Sequence, residues 1–306
     1  MHFDESPTTP LGELVDVTPP PGRRPMLWGL SLAVVIVLAT ATLVVVGVGS
    51  ATKSPALVLS QAQGRTSSTT AHTSAVETLT LNGQTTTILN LEGDEDFGNK
   101  SAAVTVNVGG RKLEDVRNLA AVTYLSVPVV ALPNGAHWVS FTKADLKGTS
   151  ASSALGSTDP GQGLAFFSAV DGDPRVLDKG RLDGVSVTHY GFNLNLASFF
   201  DRMQQQGKAL NAPGFGSALS QLKSIIDLTK VPGEAWIDGG GRVHRFDLTL
   251  EFSQAGVSGK VVVDSRFSSF GEPVHVEAPA ASDTVAFRDV PNFFNELANG
   301  AAKSVG

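Results

Sequence analysis

Glu92, Asp94, Glu95 and Asp96 stand within five consecutive positions, and Asp171 and Asp173 flank a glycine. Carboxylates at alternate positions are what a calcium loop uses, but that loop also needs a distal glutamate to close it. Neither stretch carries that set, so both read as solvated turns. The histidines His72, His137, His189, His244 and His275 are scattered, with no H-E-x-x-H and no pair one helical turn apart; no metal site is expected. Around His189 the apolar phase changes from Val185 and Val187 to Tyr190, Phe192 and Leu194, which a β-bulge accounts for. Asp238-Gly239-Gly240-Gly241-Arg242 is glycine-rich enough to cradle a phosphate, yet no helix follows it, so it reads as a hairpin loop. Gly214-Phe215-Gly216 precedes a helix but lacks the preceding strand and third glycine of a dinucleotide site. Serines are plentiful, and none sits in a G-x-S-x-G elbow. The chain has no Cys, which removes thiolate nucleophiles, disulfides, Cys-bound metals and lipidated cysteines. Enzyme function therefore has no positive support, and no catalytic residue, cofactor or metal ligand is assigned.

The elements that would position any site begin with an apolar run. Residues 27–49 read LWGLSLAVVIVLATATLVVVGVG without one charge. As a helix the run spans roughly 34 Å, against a hydrocarbon core of roughly 30 Å. Arg23 and Arg24 stand just before it, and such cations stay on the cytoplasmic side. The expected organisation is a disordered, Pro- and Thr-rich cytoplasmic tail (residues 1–26), a transmembrane helix (27–49) and an extracytoplasmic domain (50–306). The rival reading is a cleaved signal peptide, for which Gly49-Ser50-Ala51 is small enough; length and flanks favour the uncleaved anchor. Net charge is −6 with no Lys/Arg run beyond Arg23-Arg24, so nucleic acid is not an expected partner.

After the anchor, Pro55 can open a short helix over Ala56–Gln63. A Ser/Thr-rich link follows, and then strands dominate. Thr78–Leu81 and Thr85–Leu91 flank Asn82-Gly83, a hairpin dipeptide. Val104, Val106 and Val108 alternate, and Gly109-Gly110 turns the chain toward Arg111–Val116. Tyr124–Val130 and His137–Phe141 are weaker strands, and Thr149–Ser157 is a small-residue loop. Asp159-Pro160 reads as cap and first residue of a helix running to about Val170. Ser186–Leu196 is a strand, followed by amphipathic helices over Ala197–Lys208 and Ser217–Asp227. Val243–Phe252 and Val257–Phe267 alternate as half-buried antiparallel strands, with Asp238–Gly241 joining the first to Ala235–Ile237. The expected fold class is α+β: one antiparallel sheet over one apolar core, with helices packed on the sheet's apolar face.

These stretches resemble a known family. VPGEAWIDGGGRVHRFDLTL (Val231–Leu250), FGEPVHVEAP (Phe270–Pro279) and DGVSVTHYGFNLNL (Asp183–Leu196), with the amphipathic helices that follow, are similar to the mycobacterial LppX/LprAFG (LprG-like) lipoproteins. The likeness runs from about Pro55 to Asn292. It implies a strongly curved antiparallel half-barrel of LolA-like type, closed by helices on its concave side around a cavity for acyl chains. Under the resemblance, the aromatic and aliphatic residues Phe166, Phe167, Phe192, Leu194, Phe199, Phe200 and Met203 line or lid that cavity. So do Leu219, Leu222, Phe246, Leu248, Leu250, Val261 and Val263. In an ordinary domain the same stripe is simply core. Family members are tethered by a lipobox Cys; here the segment 27–49 takes that place, which favours a fixed holder over a carrier that detaches.

The resulting expectation is a single-pass, extracytoplasmic protein of an actinobacterial cell envelope that holds or transfers a lipid or lipoprotein acyl chain. The alternative is an envelope sensor or protein-assembly module with a collapsed cavity, whose partner is an envelope protein. The stretch 127–157 is longer than the family pattern needs and has no assigned role.

Overall fold

β-branched and alternating side chains suit a pleated, half-buried surface, and most of this chain takes that form. The computed structural model describes residues 55–128, 130–142, 144–146, 166–205, 226–254 and 257–290, with positions 220, 223, 224, 292, 293 and 296. Residues 1–26 and 27–49, and so the expected tail and transmembrane helix, lie outside the described residues. No helix among the described residues is long and apolar enough to cross a membrane.

Among the described residues, twelve strands form one sheet. The first six follow one another as a meander: β1 (Thr70–Leu81), β2 (Gln84–Asp96), β3 (Ser101–Val108), β4 (Arg111–Leu119), β5 (Val122–Ser126) and β6 (Trp138–Thr142). A second meander comprises β7 (Val170–Leu182), β8 (Val185–Leu194), β9 (Val231–Asp238), β10 (Val243–Gln254) and β11 (Val257–Ser268). Antiparallel pairing of β1 with β11, from His72 opposite Ser268 to Leu81 opposite Gly259, joins the two. The short β12 (Thr284–Ala286) lies parallel to β6 at one edge, and β7 forms the other edge, so the sheet is large, curved, unclosed and mostly antiparallel. Asn82 and Gly83 take φ of 50° and 83° between the paired Leu81 and Gln84, the geometry that makes Asn-Gly a tight hairpin turn.

Among the described residues, two helices with defined bounds lie on one face. α1 (Pro55–Thr66) has Pro at its start, where the missing N–H costs nothing. Its wholly buried Thr66 accepts a hydrogen bond from the Val243 backbone N–H (2.9 Å), fixing the helix to β10. α2 (Leu196–Gln205) is capped by Asn195, whose Oδ1 accepts from the Ser198 N–H at 2.8 Å.

The structure differs from the sequence reading at several points. Asp159 to residue 165 lies outside the described residues, 166–169 form a single 3-10 turn, and Val170 already opens β7 rather than ending a helix. β7 escapes pattern reading because it is an edge strand, VDGDPRVLDKGRL, with mostly exposed side chains and an internal Pro that only an edge tolerates. The four acids of 92–96 lie in β2, and Asp171 and Asp173 lie in β7, not in turns. A register shift does fall opposite His189, but the extra residue is Leu177 of β7, between the pairs Val176–Tyr190 and Asp178–His189. β8 itself stays in register with β9 from Val187 to Leu194.

The buried apolar residues also form two clusters on the same face, not one core. The larger joins α1, α2 and the inward positions of β8–β11. The smaller gathers Leu125, Val127, Val130, Val139, Phe141 and Leu146 with Phe287 and Phe293 from the C-terminal end. Much of the unassigned stretch 127–157 that is described thus serves to cover the β5–β6 side of the sheet.

Candidate functional site

Alternation decides which side chains meet. Along β8, Tyr190, Phe192 and Leu194 point inward; register carries the same face to Ala235, Gly233 and Val231 of β9, then to Phe246 and Leu248 of β10, then to Val263 of β11. Gly233 is required there. A Cβ on it would lie 2.5 Å from Cε2 of Phe192 and 3.2 Å from Cδ2 of Leu248, so the missing side chain lets the Phe192 ring lie across the β9 backbone.

The candidates Phe166, Phe167, Phe192, Leu194, Phe199 and Phe200 fall in the larger cluster, as do Phe246, Leu248, Leu250, Val261 and Val263. Their rings are mutually engaged. Phe167 meets Phe246 edge-on with centroids 5.0 Å apart and Phe192 at 5.8 Å. Phe192 stacks over Phe246 at 6.3 Å, and Phe199 touches Phe166 and Phe200, each at 5.5 Å. Met203 belongs to α2, with its side chain outside the description, and Leu219 and Leu222 lie outside the described residues. Sequence reasoning passed over Leu59 and Ala62 of α1, both fully buried in the same wall. A groove of about 800 Å³ opens at the hairpin end of the cluster, lined by Phe252, Gly259, Thr80, Asn82 and Asp227.

Beside this apolar wall the inner face turns polar. The phase of Leu79 and Leu81 carries back along β1 to Glu77, Ala75, Thr73 and Ala71, so Glu77 faces inward, paired with Val263 and Leu89. It is 5 % exposed, and its Oε2 meets no hydrogen-bond partner. Burial raises its carboxyl to about 7, because the charged form loses its hydration and finds no cation in exchange. Glu95 on β2 and Glu114 on β4 share this face through the ladder Ala71–Glu95–Ala102 and Val106–Glu114. Glu114 is raised to about 6, first by burial and then by the charge of Asp115. The acid run at 92–96 is therefore split by the pleat. Asp94 faces outward, with Oδ1 2.8 Å from Nδ1 of His72, while Glu95 is buried.

The outer face is a charged ladder. His189 stacks on Trp236 with centroids 4.1 Å apart, and Arg245 lies over the other side of that ring at 4.5 Å. The ring nitrogens of His189 face Asp178 Oδ2 (3.2 Å) and Glu234 Oε2 (3.0 Å). Arg245 donates to both oxygens of Asp247 (3.0 and 2.6 Å). Asp247 is nonetheless raised to about 6, chiefly by burial and against the pull of Arg245. A groove of about 330 Å³ on this face runs past Leu177, Gly191, Glu234, Asp247 and Thr249. At the β9–β10 hairpin, Asp238 accepts from the backbone N–H of Gly240 (2.8 Å) and Arg242 (2.9 Å) and from Nε of Arg242 (2.9 Å). Burial pushes its carboxyl up, but these bonds and one to His244 outweigh it and hold it below the usual range. The glycine-rich loop is thus folded around its own aspartate. Among the described residues no group of three or more His, Asp or Glu is placed to hold a metal ion.

No family model matches the chain. A sequence relative, an uncharacterised 31.2 kDa protein from the rplA-rplJ intergenic region of Streptomyces griseus, is 25% identical over 170 residues, 53% of this chain and 52% of the relative. The match thus spans about half the length of that relative. The likeness expected from the sequence is found among solved structures. Lipoprotein LppX of Mycobacterium tuberculosis is similar at TM-score 0.41 and 14% identity, over 72% of this chain and 97% of LppX. LprF of Mycobacterium bovis is similar at TM-score 0.42 and 16% identity, over 75% of this chain and all of LprF (100%). A LolA superfamily protein of Nitrosomonas europaea follows at 0.27 and 9%, over 74% of this chain and 96% of its own. At scores and identities this low, function is left to the geometry of this chain.

Proposed function

We propose that the chain is a membrane-anchored, extracytoplasmic protein that holds or transfers an envelope lipid, or a lipoprotein acyl chain, against the inner face of its sheet. The observation that carries this reading is the continuous inward wall of aromatic and aliphatic side chains across β8–β11, met by α1 and α2. Such a wall suits an acyl chain, since each buried methylene contributes about 0.8 kcal/mol and no hydrogen bond is needed to seat it. The apolar run 27–49 and its Arg23-Arg24 flank support a tether that keeps the domain outside the cytoplasm. The role is binding without catalysis. Organic extraction of the purified full chain followed by mass spectrometry tests the reading: a stoichiometric lipid is expected, and an extract matching a mock purification overturns it. A phosphatase fusion after Gly306, active only outside the cytoplasm, tests the orientation.

The close ring contacts at 5.0–5.8 Å favour a second reading, in which the wall is closed on itself and the sheet serves as an envelope sensor or assembly module for another protein. Its expected signature is a well-packed domain with no lipid in any preparation.

A further inference from the structure

β7 pairs on one side only, with β8, so its other side is a free edge of the sheet. Free edges are normally short or covered, because their unpaired N–H and C=O groups accept a passing strand. This one runs for 13 residues with mostly exposed side chains. Among the described residues, the exposed large apolar side chains are two neighbours at its centre, Val176 (46 %) and Leu177 (40 %). Neighbours on a strand point to opposite faces. Val176 stands opposite Tyr190, in the inner phase. Leu177, the extra residue of the bulge, lies against Gly191 on the outer face, where an added Cβ would come within 3.1 Å of its Cδ1. The middle of the free edge is thus apolar on both faces.

The charges along the edge select what pairs with it. Asp171 and Asp173 precede the apolar centre, Lys179 and Arg181 follow it, and Arg175 and Asp178 bracket it directly. Among the described residues, no ion pair engages Asp171, Asp173, Arg175 or Lys179. These charges, with Pro174 and the register shifts at 171–175 and 176–178, deter a strand of arbitrary sequence. A second copy of β7 running antiparallel is not deterred. With a two-fold axis between Val176 and Leu177, Arg175 stands opposite Asp178 of the second copy, and symmetry makes the pair twice. Both side chains belong to the outer face: Arg175 is opposite Gly191 and lines the outer groove, and Asp178 bonds His189. They therefore meet on one side of the joined sheet. Val176 meets its own equivalent across the inner side, and Leu177 its own across the outer. The acidic half of each strand lies along the basic half of the other, whereas parallel pairing would set like charge on like.

We propose that the free edge of β7 is a self-association surface, on which a second copy of this chain adds its own β7 antiparallel about Val176 and Leu177. The inference is independent of the lipid-holding reading, since the edge lies outside the apolar wall. Sedimentation equilibrium of the full chain in density-matched detergent tests it. Wild type should show a reversible monomer–dimer equilibrium. Arg175→Asp alone and Asp178→Arg alone should each weaken the dimer by about ten-fold or more, because two attractive pairs become repulsive. An equimolar mixture of the two variants should dimerise again, since every opposed pair is then one cation and one anion. Recovery in the mixture also shows that both variants are folded. Wild type that stays monomeric at about 100 µM overturns the proposal. So do single variants that dimerise as tightly as wild type, which is the result expected if association runs through the apolar segment 27–49, untouched by either substitution. A mixture that stays monomeric overturns it as well, because the antiparallel register requires the rescue.

Discussion

Replacing Glu77 by Leu should make the protein more stable at neutral pH and flatten its pH profile. The carboxyl rises from an ordinary 4.5 to about 7 in the folded state. In the unfolded chain it releases its proton near 4.5, so between 4.5 and about 7 the unfolded state binds fewer protons than the folded one. Stability from this group is therefore complete below 4.5 and is lost as pH rises through about 7. At about 1.4 kcal/mol per decade, the loss amounts to about 3 kcal/mol. Leu fills nearly the same volume among Val263, Leu89 and Leu79 and leaves no orphaned oxygen. Urea midpoints from about pH 4 to about pH 8, with the slope of each transition checked for constancy, give the difference between wild type and Glu77→Leu. The gap between them, the variant ahead, should widen by about 3 kcal/mol from the acid to the alkaline end. Glu114 and Asp247, each raised to about 6, slope the same way in both proteins and cancel in the difference. Parallel curves would mean that Glu77 is solvated or paired in the folded state.

Leu248→Trp separates the two functional readings: lost lipid with a near-normal melting temperature supports a cavity, whereas destabilisation by about 1–3 kcal/mol with no lipid found in any variant supports a closed core. Thr249→Trp, on the opposite face, should do neither, and no change from either would mean the inward face is misassigned. Gly233→Ala should cost about 1–3 kcal/mol by forcing the Phe192 ring off the β9 backbone, while Gly180→Ala, with nothing within 4 Å of the new Cβ, should stay within about 0.5 kcal/mol; thermal melts compare them. Asp238→Ala should cost about 2 kcal/mol by orphaning the hairpin N–H groups. The variant should also lose part of the wild type's acid-side destabilisation, because a carboxyl held below its ordinary range contributes stability that disappears as pH falls through its folded value.

The sheet was legible wherever one face is wet and the other dry. Phe246–Phe252 and Val261–Phe267 alternate cleanly, and their inward residues are the ones buried. β7 was not legible, because an edge strand exposes both its faces and its hydrophobic pattern fades; its one usable signal was the hairpin dipeptide Asp183-Gly184, with φ of 48° and 83°. Glu77 was missed for the opposite reason. A charge-bearing residue reads as solvent-facing, and only extending the Leu79–Leu81 phase backward places it inside. The second cluster was hidden because Phe287 and Phe293 reach residues 125–146 across about half the chain, a distance over which periodicity says nothing.

The seam between β1 and β11 bears on how the chain reaches its fold. Its partners lie about two hundred residues apart, whereas almost every other strand pairs with its sequence neighbour. Closing a loop of that size is entropically costly, so the hairpins of each meander should assemble first and the seam should zip late and slowly. Until it does, β1 and β11 are two long bare edges able to pair with strands of other molecules. The refolding rate, and the yield against aggregation, should therefore depend on substitutions along His72–Leu81 and Gly259–Ser268 far more than on substitutions at the hairpin turns.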